Sequence, residues 1–242
     1  MGKVSDYIKP WIEKLKINLD ENQINQFDAL SENMLADPLY KSVSKIFDLE
    51  EIAIKHFLDS LLPLCYNLPL WKANSILDLG TGGGFPCLPL AIALPKSNFT
   101  AVDGRQKSVD FVARMAELIG LKNVKTIHSR IEDLGQDKTY REKYDLVLCR
   151  ALSSVRVLAE YTLPLTKNEG WSLYYKGPKL DEELTEASNA FKLLEVEPNN
   201  LEIYRLLPSE VPFERNFIVI HKTKNVSMKY PRKAGTPLSK PL

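Results

Sequence analysis

Between Ser75 and Tyr175, short β-rich runs alternate with longer stretches whose apolar positions recur every three or four residues. The short runs predict strands and the longer stretches amphipathic helices, the alternation of a doubly wound α/β sheet. The spacing places strands at Ser75–Leu79, Asn98–Val102, Val124–His128, Leu146–Cys149 and Trp171–Tyr175. Helices are expected at Pro86–Leu94, Gln106–Ile119, Val155–Leu163 and Leu180–Leu193. Two late runs, "LEIYRLL" and "FIVIHK", follow with no helical period between them, so the sheet should end in an antiparallel pair. Upstream, from Tyr7 to about Leu68, "IKPWIEKLKI", "NQINQFDALSENMLA" and "LEEIAIKHFLDSLLPL" are helical in period and broken at Pro38 and Pro63.

The expected organisation is a helical cap over residues 1–70, an α/β domain over 71–228 and an arm over 229–242. The arm, "KYPRKAGTPLSKPL", is rich in Pro, Gly and basic residues, which predicts extended chain and no packed element.

Composition adds little until charge is mapped. With 242 residues, 44% of them apolar, the chain can bury a full core. The net charge of +1 conceals an acidic cap, with 7 Lys/Arg against 11 Asp/Glu in residues 1–70, and a basic end, with 6 against none after His221. Cys65, Cys87 and Cys149 show no CxxC spacing and no histidine nearby in sequence, which argues against a disulfide framework and a zinc site. A reducing cytoplasm is the expected compartment, with no metal. No apolar run approaches the roughly 20 residues of a membrane span, and the start, "MGKVSDYIKPWIEKL", lacks the apolar core of a signal peptide. No membrane partner is expected.

The candidate chemistry starts at "ILDLGTGGGFPCLPLAIALP", Ile76 to Pro95, where a strand runs into four glycines and a helix opened by Pro86. A turn so bare of side chains lets backbone approach a ligand at the carboxyl end of a strand, where open α/β sheets bind theirs. A dinucleotide fold wants G-x-G-x-x-G, but the third position is Phe85 counted from Gly80 and Cys87 counted from Gly82. What stands there is D-x-G-x-G-x-G, Asp78 to Gly84, which resembles motif I of S-adenosylmethionine-dependent methyltransferases. Asp78 can orient the cationic amino-acid end of that cofactor, with Gly80 and Gly82 leaving the backbone open. Asp103, ending the next strand, is placed to accept both ribose hydroxyls, a role an acid also plays with NAD.

Methyl transfer from a sulfonium is an in-line displacement, so positioning is the main task. Exocyclic-amine methyltransferases resemble one another in an Asp/Asn-Pro-Pro-aromatic segment after the fourth strand; here "CRALSS" stands instead, which disfavours an amine acceptor. A catalytic cysteine is also disfavoured: Cys87 lies inside the glycine turn, and Cys149 reads more simply as a small buried residue at a strand end.

Five segments together carry a family resemblance: "KHFLDSL" at Lys55, "ILDLGTGGGFPCLPLAI" at Ile76, "RIEDL" at Arg130, "CRAL" at Cys149 and the ending "YPRKAGTPLSKPL". The chain resembles the bacterial 16S rRNA (guanine-N7) methyltransferase family, also called the glucose-inhibited division protein B family, from about Lys55 to its end. The resemblance implies a Rossmann-like class I S-adenosylmethionine-dependent methyltransferase fold, S-adenosyl-L-methionine as cofactor, and 16S rRNA or the small ribosomal subunit as partner. It implies a cofactor pocket of Gly80, Phe85, Asp103, Gly104, Arg105, the pair Ile131 and Glu132, and Arg150. Ile131 would cover the adenine, while Glu132 or nearby backbone reads its edge. Arg150 is the candidate catalytic residue, orienting substrate or cofactor, with a structural ion pair as the other reading. Guanine N7 is an unprotonated lone pair and needs no general base, but the target base must leave its stack.

Lys229, Arg232 and Lys233 are candidate phosphate contacts, the alternative being a merely solvated terminus. His56 in "KHFLDS" reads equally as a substrate contact or as a helix-surface or interdomain hydrogen bond. One departure stands upstream: the family's Asn-Leu-Thr segment is replaced by "SVSKI", Ser42 to Ile46. Two other functions stay open, a methyltransferase of a small molecule or protein and a non-catalytic RNA-binding assembly factor. A monomer is expected.

Overall fold

The computed structural model describes residues 2–66, 68–207 and 209–242. Seven strands form one sheet in the order β3-β2-β1-β4-β5-β7-β6. They are β1 Ser75–Leu79, β2 Asn98–Asp103, β3 Val124–His128, β4 Tyr144–Arg150, β5 Thr166–Lys176, β6 Leu201–Leu206 and β7 Arg215–His221. The pairs β1–β4, β2–β3 and β4–β5 are parallel, whereas β7 pairs antiparallel with both β5 and β6 and so runs against its two neighbours. This is the α/β, mostly parallel architecture with an antiparallel C-terminal pair that the apolar pattern predicts. The chain divides into two compact units, Met1–Asn74 with Thr81–His128, and Ser75–Gly80 with Ser129–Leu242.

In the first unit, β2 and β3 run parallel in the register Phe99↔Val124 to Asp103↔His128. The helical residues 1–70 belong to this unit instead of standing apart. The helix Glu21–Ala36 begins with a reciprocal cap, in which Gln23 N donates to Asp20 Oδ1 and Asp20 N donates to Gln23 Oε1, both at 2.8 Å. Its Gln23 side chain then donates to Ile92 O at 2.7 Å, tying it to the helix Cys87–Ala93. Phe27, Leu30 and Met34 of the same helix are fully buried. A single helix is expected for "LEEIAIKHFLDSLLPL", but the segment winds as α over Leu49–Glu51, π over Ile52–Leu58, α over Asp59–Leu61 and 3₁₀ over Leu62–Cys65. Wide i→i+5 turns of this kind cluster at functional sites, and this one carries His56.

In the second unit, β1 and β4 pair from Ile76↔Leu146 to Leu79↔Cys149, and β4 and β5 from Tyr144↔Thr166 to Arg150↔Tyr175. Strand β5 starts five residues before the expected Trp171, because the bulge between Tyr144 and Leu146 lets Thr166 pair as well. One helix, Ile131–Gln136, is absent from the sequence-based prediction: at six residues it is too short to show a period.

The expected extended arm is corrected by the structure. Tyr230, Pro231 and Pro237 are buried, and Thr236–Ser239 is a helical turn. The physical reason is a set of backbone acceptors presented to one cation. The Arg141 guanidinium donates to the carbonyls of Gly135 (3.0 Å), Tyr230 (2.6 Å), Val226 (2.9 Å) and Ser227 (3.2 Å), and so holds the tail on the second unit.

Candidate cofactor and substrate site

The glycine loop of the first unit is built by its own backbone. Thr81 N donates to Val102 O (3.0 Å) and Gly84 N to Thr81 O (2.8 Å), so the loop closes on β2 and on itself. At Gly84, φ is +88°, and a Cβ there would lie 2.5 Å from Leu88 Cδ1; only glycine fits. Asp103, at the end of β2, is the hinge of this arrangement. Its Oδ2 accepts from Gly82 N at 2.9 Å and its Oδ1 from Arg105 N at 2.8 Å, with Arg105 Nε 3.5 Å away. A carboxylate offers about four lone-pair sites, so acceptor capacity for a diol is left over after both loop amides are satisfied. Gly104 is held by its carbonyl, which accepts from His128 Nε2 at 3.1 Å and so requires the proton on that nitrogen.

Phe85 is 9% exposed, and the His56 imidazole lies flat on its ring. His56 Nε2 is 2.9 Å from the Ser44 hydroxyl. Ser44 comes from the "SVSKI" segment that departs from the family pattern, so the departure supplies a hydrogen-bond partner to the histidine. His56 thus makes an intramolecular hydrogen bond.

In the second unit, Asp78 is buried in β1, and at Gly80, two residues on, an added Cβ would lie 2.6 Å from Leu152 Cδ1. Arg150 ends β4, half-buried and in register with Tyr175. The turn after it is braced by buried Lys176, whose ammonium donates to Ser153 O at 3.0 Å and pairs with Glu183 at 2.7 Å. Glu183 in turn accepts from Val155 N at 2.9 Å, at the first residue of the helix Val155–Thr162. Burial, reinforced by Asp78, pushes the Cys149 thiol well above its ordinary range, which leaves it protonated and a poor nucleophile.

Ile131 and Glu132 open the helix Ile131–Gln136, and Glu132 is 2% exposed. Its Oε1 accepts from the Tyr161 hydroxyl (3.2 Å) and from Gly235 N (2.8 Å), and Arg130 Nε is 3.8 Å from Oε2. Burial and the Glu132 carboxylate push the Tyr161 hydroxyl well up, so it remains a donor. The carboxylate expected to read an adenine edge is thus directed at its own chain.

The basic end is likewise turned inward. Arg232 donates through Nε (2.8 Å) and Nη2 (2.6 Å) to the two oxygens of Glu160, a residue with no exposure. The guanidinium is thus forked onto a buried carboxylate. Lys222 pairs with Glu142 at 2.8 Å, and Lys224 with Glu197. Lys229 and Lys233 are exposed. Ser44, Arg141, Glu160, Tyr161 and Lys176 have no local signature in the sequence. Glu160 alone leaves a trace, as one acid in the apolar run "VLAEYTLPL".

Among the described residues, no group of His, Cys, Asp and Glu could hold a metal ion, and no helix is long and apolar enough to cross a membrane. A family model described as rRNA small subunit methyltransferase G matches residues 32–207. The chain is similar to Ribosomal RNA small subunit methyltransferase G of Desulforamulus reducens, 39% identical over 100% of both chains. It is similar to the protein of that name from Lactobacillus johnsonii, 39% identical over 96% of each. Among solved structures, the fold is similar to an O-methyltransferase from Bacillus cereus in complex with SAH, with TM-score 0.56 and 14% identity, covering 90% of this chain and all of that one. TomG of Streptomyces achromogenes, solved with SAM, gives TM-score 0.53 and 15% identity over 92% and 100%.

Proposed function

The chain belongs to the rRNA small subunit methyltransferase G family and is an S-adenosylmethionine-dependent methyltransferase; from that premise we propose that it methylates N7 of one guanine in 16S rRNA. The observation that carries the reading is the 39% identity over the full length of both chains to a relative named Ribosomal RNA small subunit methyltransferase G. When bound, S-adenosylmethionine would supply an electrophilic methyl group on a sulfonium, for which guanine N7 offers a lone pair.

The residues present suit that cofactor. Asp103, held by Gly82 N and Arg105 N with lone pairs to spare, accepts the ribose hydroxyls. Gly80 and Gly82 keep side chains away from the methionine end, and Asp78 provides the negative charge beneath it. Phe85 and Ile131 give apolar cover. Glu132 accepts from Tyr161 and Gly235 through Oε1, and the adenine edge is read by its remaining acceptor capacity or by the backbone around it. Arg150 orients guanine, whose O6 is the acceptor beside N7, as a hydrogen-bond donor. No base is required, since N7 enters with its lone pair free. Lys229 and Lys233 supply phosphate contacts, which set affinity and its salt dependence but not the choice of base. We further infer that the enzyme acts as a monomer in the cytoplasm, where rRNA is available; sedimentation checks the first part.

Labelled S-adenosylmethionine incubated with small-subunit rRNA should mark one guanine at N7, and Gly82→Asp should abolish the mark. A purified enzyme that binds the cofactor yet labels neither free rRNA nor the small subunit would overturn the assignment.

A further inference from the structure

The tail is fastened to the second unit along the short helix that begins with Ile131 and Glu132. Pro231 lies against Gly135, where a Cβ would come within 2.6 Å of its ring, so the glycine makes room for the tail. Gln136 Nε2 donates to Pro231 O at 2.6 Å and to Met228 O at 3.2 Å. Arg141 grips both partners at once, donating to Gly135 O on the helix and to Tyr230 O on the tail. Further along, Gly235 N reaches Glu132 Oε1 at 2.8 Å from a backbone with φ +81°. Glu160 meets three donors of Arg232, its N, Nε and Nη2, and adjoins Tyr161, whose hydroxyl also reaches Glu132. Two buried carboxylates, 132 and 160, are therefore satisfied by the same stretch of tail.

We propose that residues 226–239 position the cofactor-binding helix Ile131–Gln136, with Glu160, Arg232 and Gly235 as the positioning residues. This rests on the reading of Ile131–Glu132 as the adenine-binding segment. The chemistry is that of a buried charge: a carboxylate without its donors either takes up a proton or turns toward water, and either response moves the chain that carries it. Loss of the Arg232 fork frees the tail, Gly235 withdraws its donor, and Glu132 turns away with Ile131. The tail then governs cofactor affinity first and RNA affinity second.

The test is titration of full-length protein with S-adenosylhomocysteine, read by calorimetry and independent of turnover. Arg232→Ala should weaken binding at least tenfold, Arg232→Lys should recover part of it, and Lys240→Ala, at an exposed position, should leave it unchanged. Filter binding of Arg232→Ala to a small-subunit rRNA fragment should change less than twofold. Wild-type S-adenosylhomocysteine affinity in Arg232→Ala would overturn the proposal. If that variant fails to fold, Gly235→Ala substitutes for it. There the added methyl meets nothing within 4 Å but strains the positive φ, and affinity should fall two- to fivefold; no change would again overturn it. Ile131→Ala separates the two layers. Its failure to affect binding overturns the adenine assignment and the proposal with it, whereas loss in Ile131→Ala but not in Arg232→Ala overturns only the role of the tail.

Discussion

The imidazole of His56 lies on the phenyl ring of Phe85, with centroids 4.2 Å apart and planes inclined by only 8°. The two residues are 29 positions apart in sequence and come from different elements, a π-helical turn and the end of the glycine loop. Ser44 fixes the ring by its hydroxyl, 2.9 Å from Nε2. Phe85 is thereby backed on one face by an aromatic plate whose orientation is set.

That stack makes a prediction for cofactor affinity. An aromatic pair contributes about 0.5–1.5 kcal/mol beyond its buried area, so His56→Ala should weaken S-adenosylhomocysteine binding about two- to tenfold. His56→Phe should restore most of it, because the plate returns without the hydrogen bond. Equal losses in both variants, measured by calorimetry, would assign the effect to the Ser44 contact instead.

Asp103→Asn tests the hinge of the loop. The amide retains one oxygen but turns an NH₂ toward one of the two backbone donors, Gly82 N or Arg105 N, and removes a charge-assisted bond. Such bonds contribute about 1.5–3 kcal/mol, so affinity should fall about ten- to a hundredfold, with little effect on RNA affinity. Cofactor titration and RNA filter binding on the same preparation separate the two.

Two glycines with left-handed backbones should respond differently to alanine. At Gly84 the new methyl would stand 2.5 Å from Leu88 Cδ1 and 2.8 Å from its Cγ, whereas at Gly120 it meets nothing within 4 Å. Gly120→Ala should therefore cost about 1–2 kcal/mol, the strain of the left-handed region alone. Gly84→Ala should cost about 1–3 kcal/mol more, from overpacking. Urea denaturation of the two variants decides it; equal losses would mean that Leu88 yields freely.

Cys149 gives a pH dependence of definite sign. Its thiol is raised well above the ordinary value by burial first and by Asp78 second, so the folded protein keeps a proton that the unfolded chain releases near pH 8.5. The unfolded state then binds fewer protons, and stability falls as pH rises past that point, by up to about 1.4 kcal/mol per pH unit for this group. Tyr174, also raised by burial, adds a loss of the same sign starting near pH 10. Urea midpoints at pH 7.5 and 9.5 should show the decline, and Cys149→Ala should flatten it. Alkylation in native buffer at pH 8 should modify half-exposed Cys65 before Cys149.

The sequence by itself determined the sheet, because its strands were written as short β-rich runs, all but Val124–His128 largely buried, and the helices between them as three- and four-residue periods. It also determined the cofactor turn, since D-x-G-x-G-x-G is a local requirement of backbone conformation and close approach, and such requirements leave contiguous marks. The tertiary structure alone decided what the charged residues do. Glu132, Glu160 and Arg232 read as a cofactor contact, an unremarked acid and a phosphate contact, yet the fold joins them in one buried network with Gly235 and Tyr161. Arg232 and Glu160 lie 72 positions apart, and no period or motif links residues at that distance. A backbone preference acts on neighbours in the chain and is legible there; the partner of a buried charge is chosen by whatever folding brings beside it.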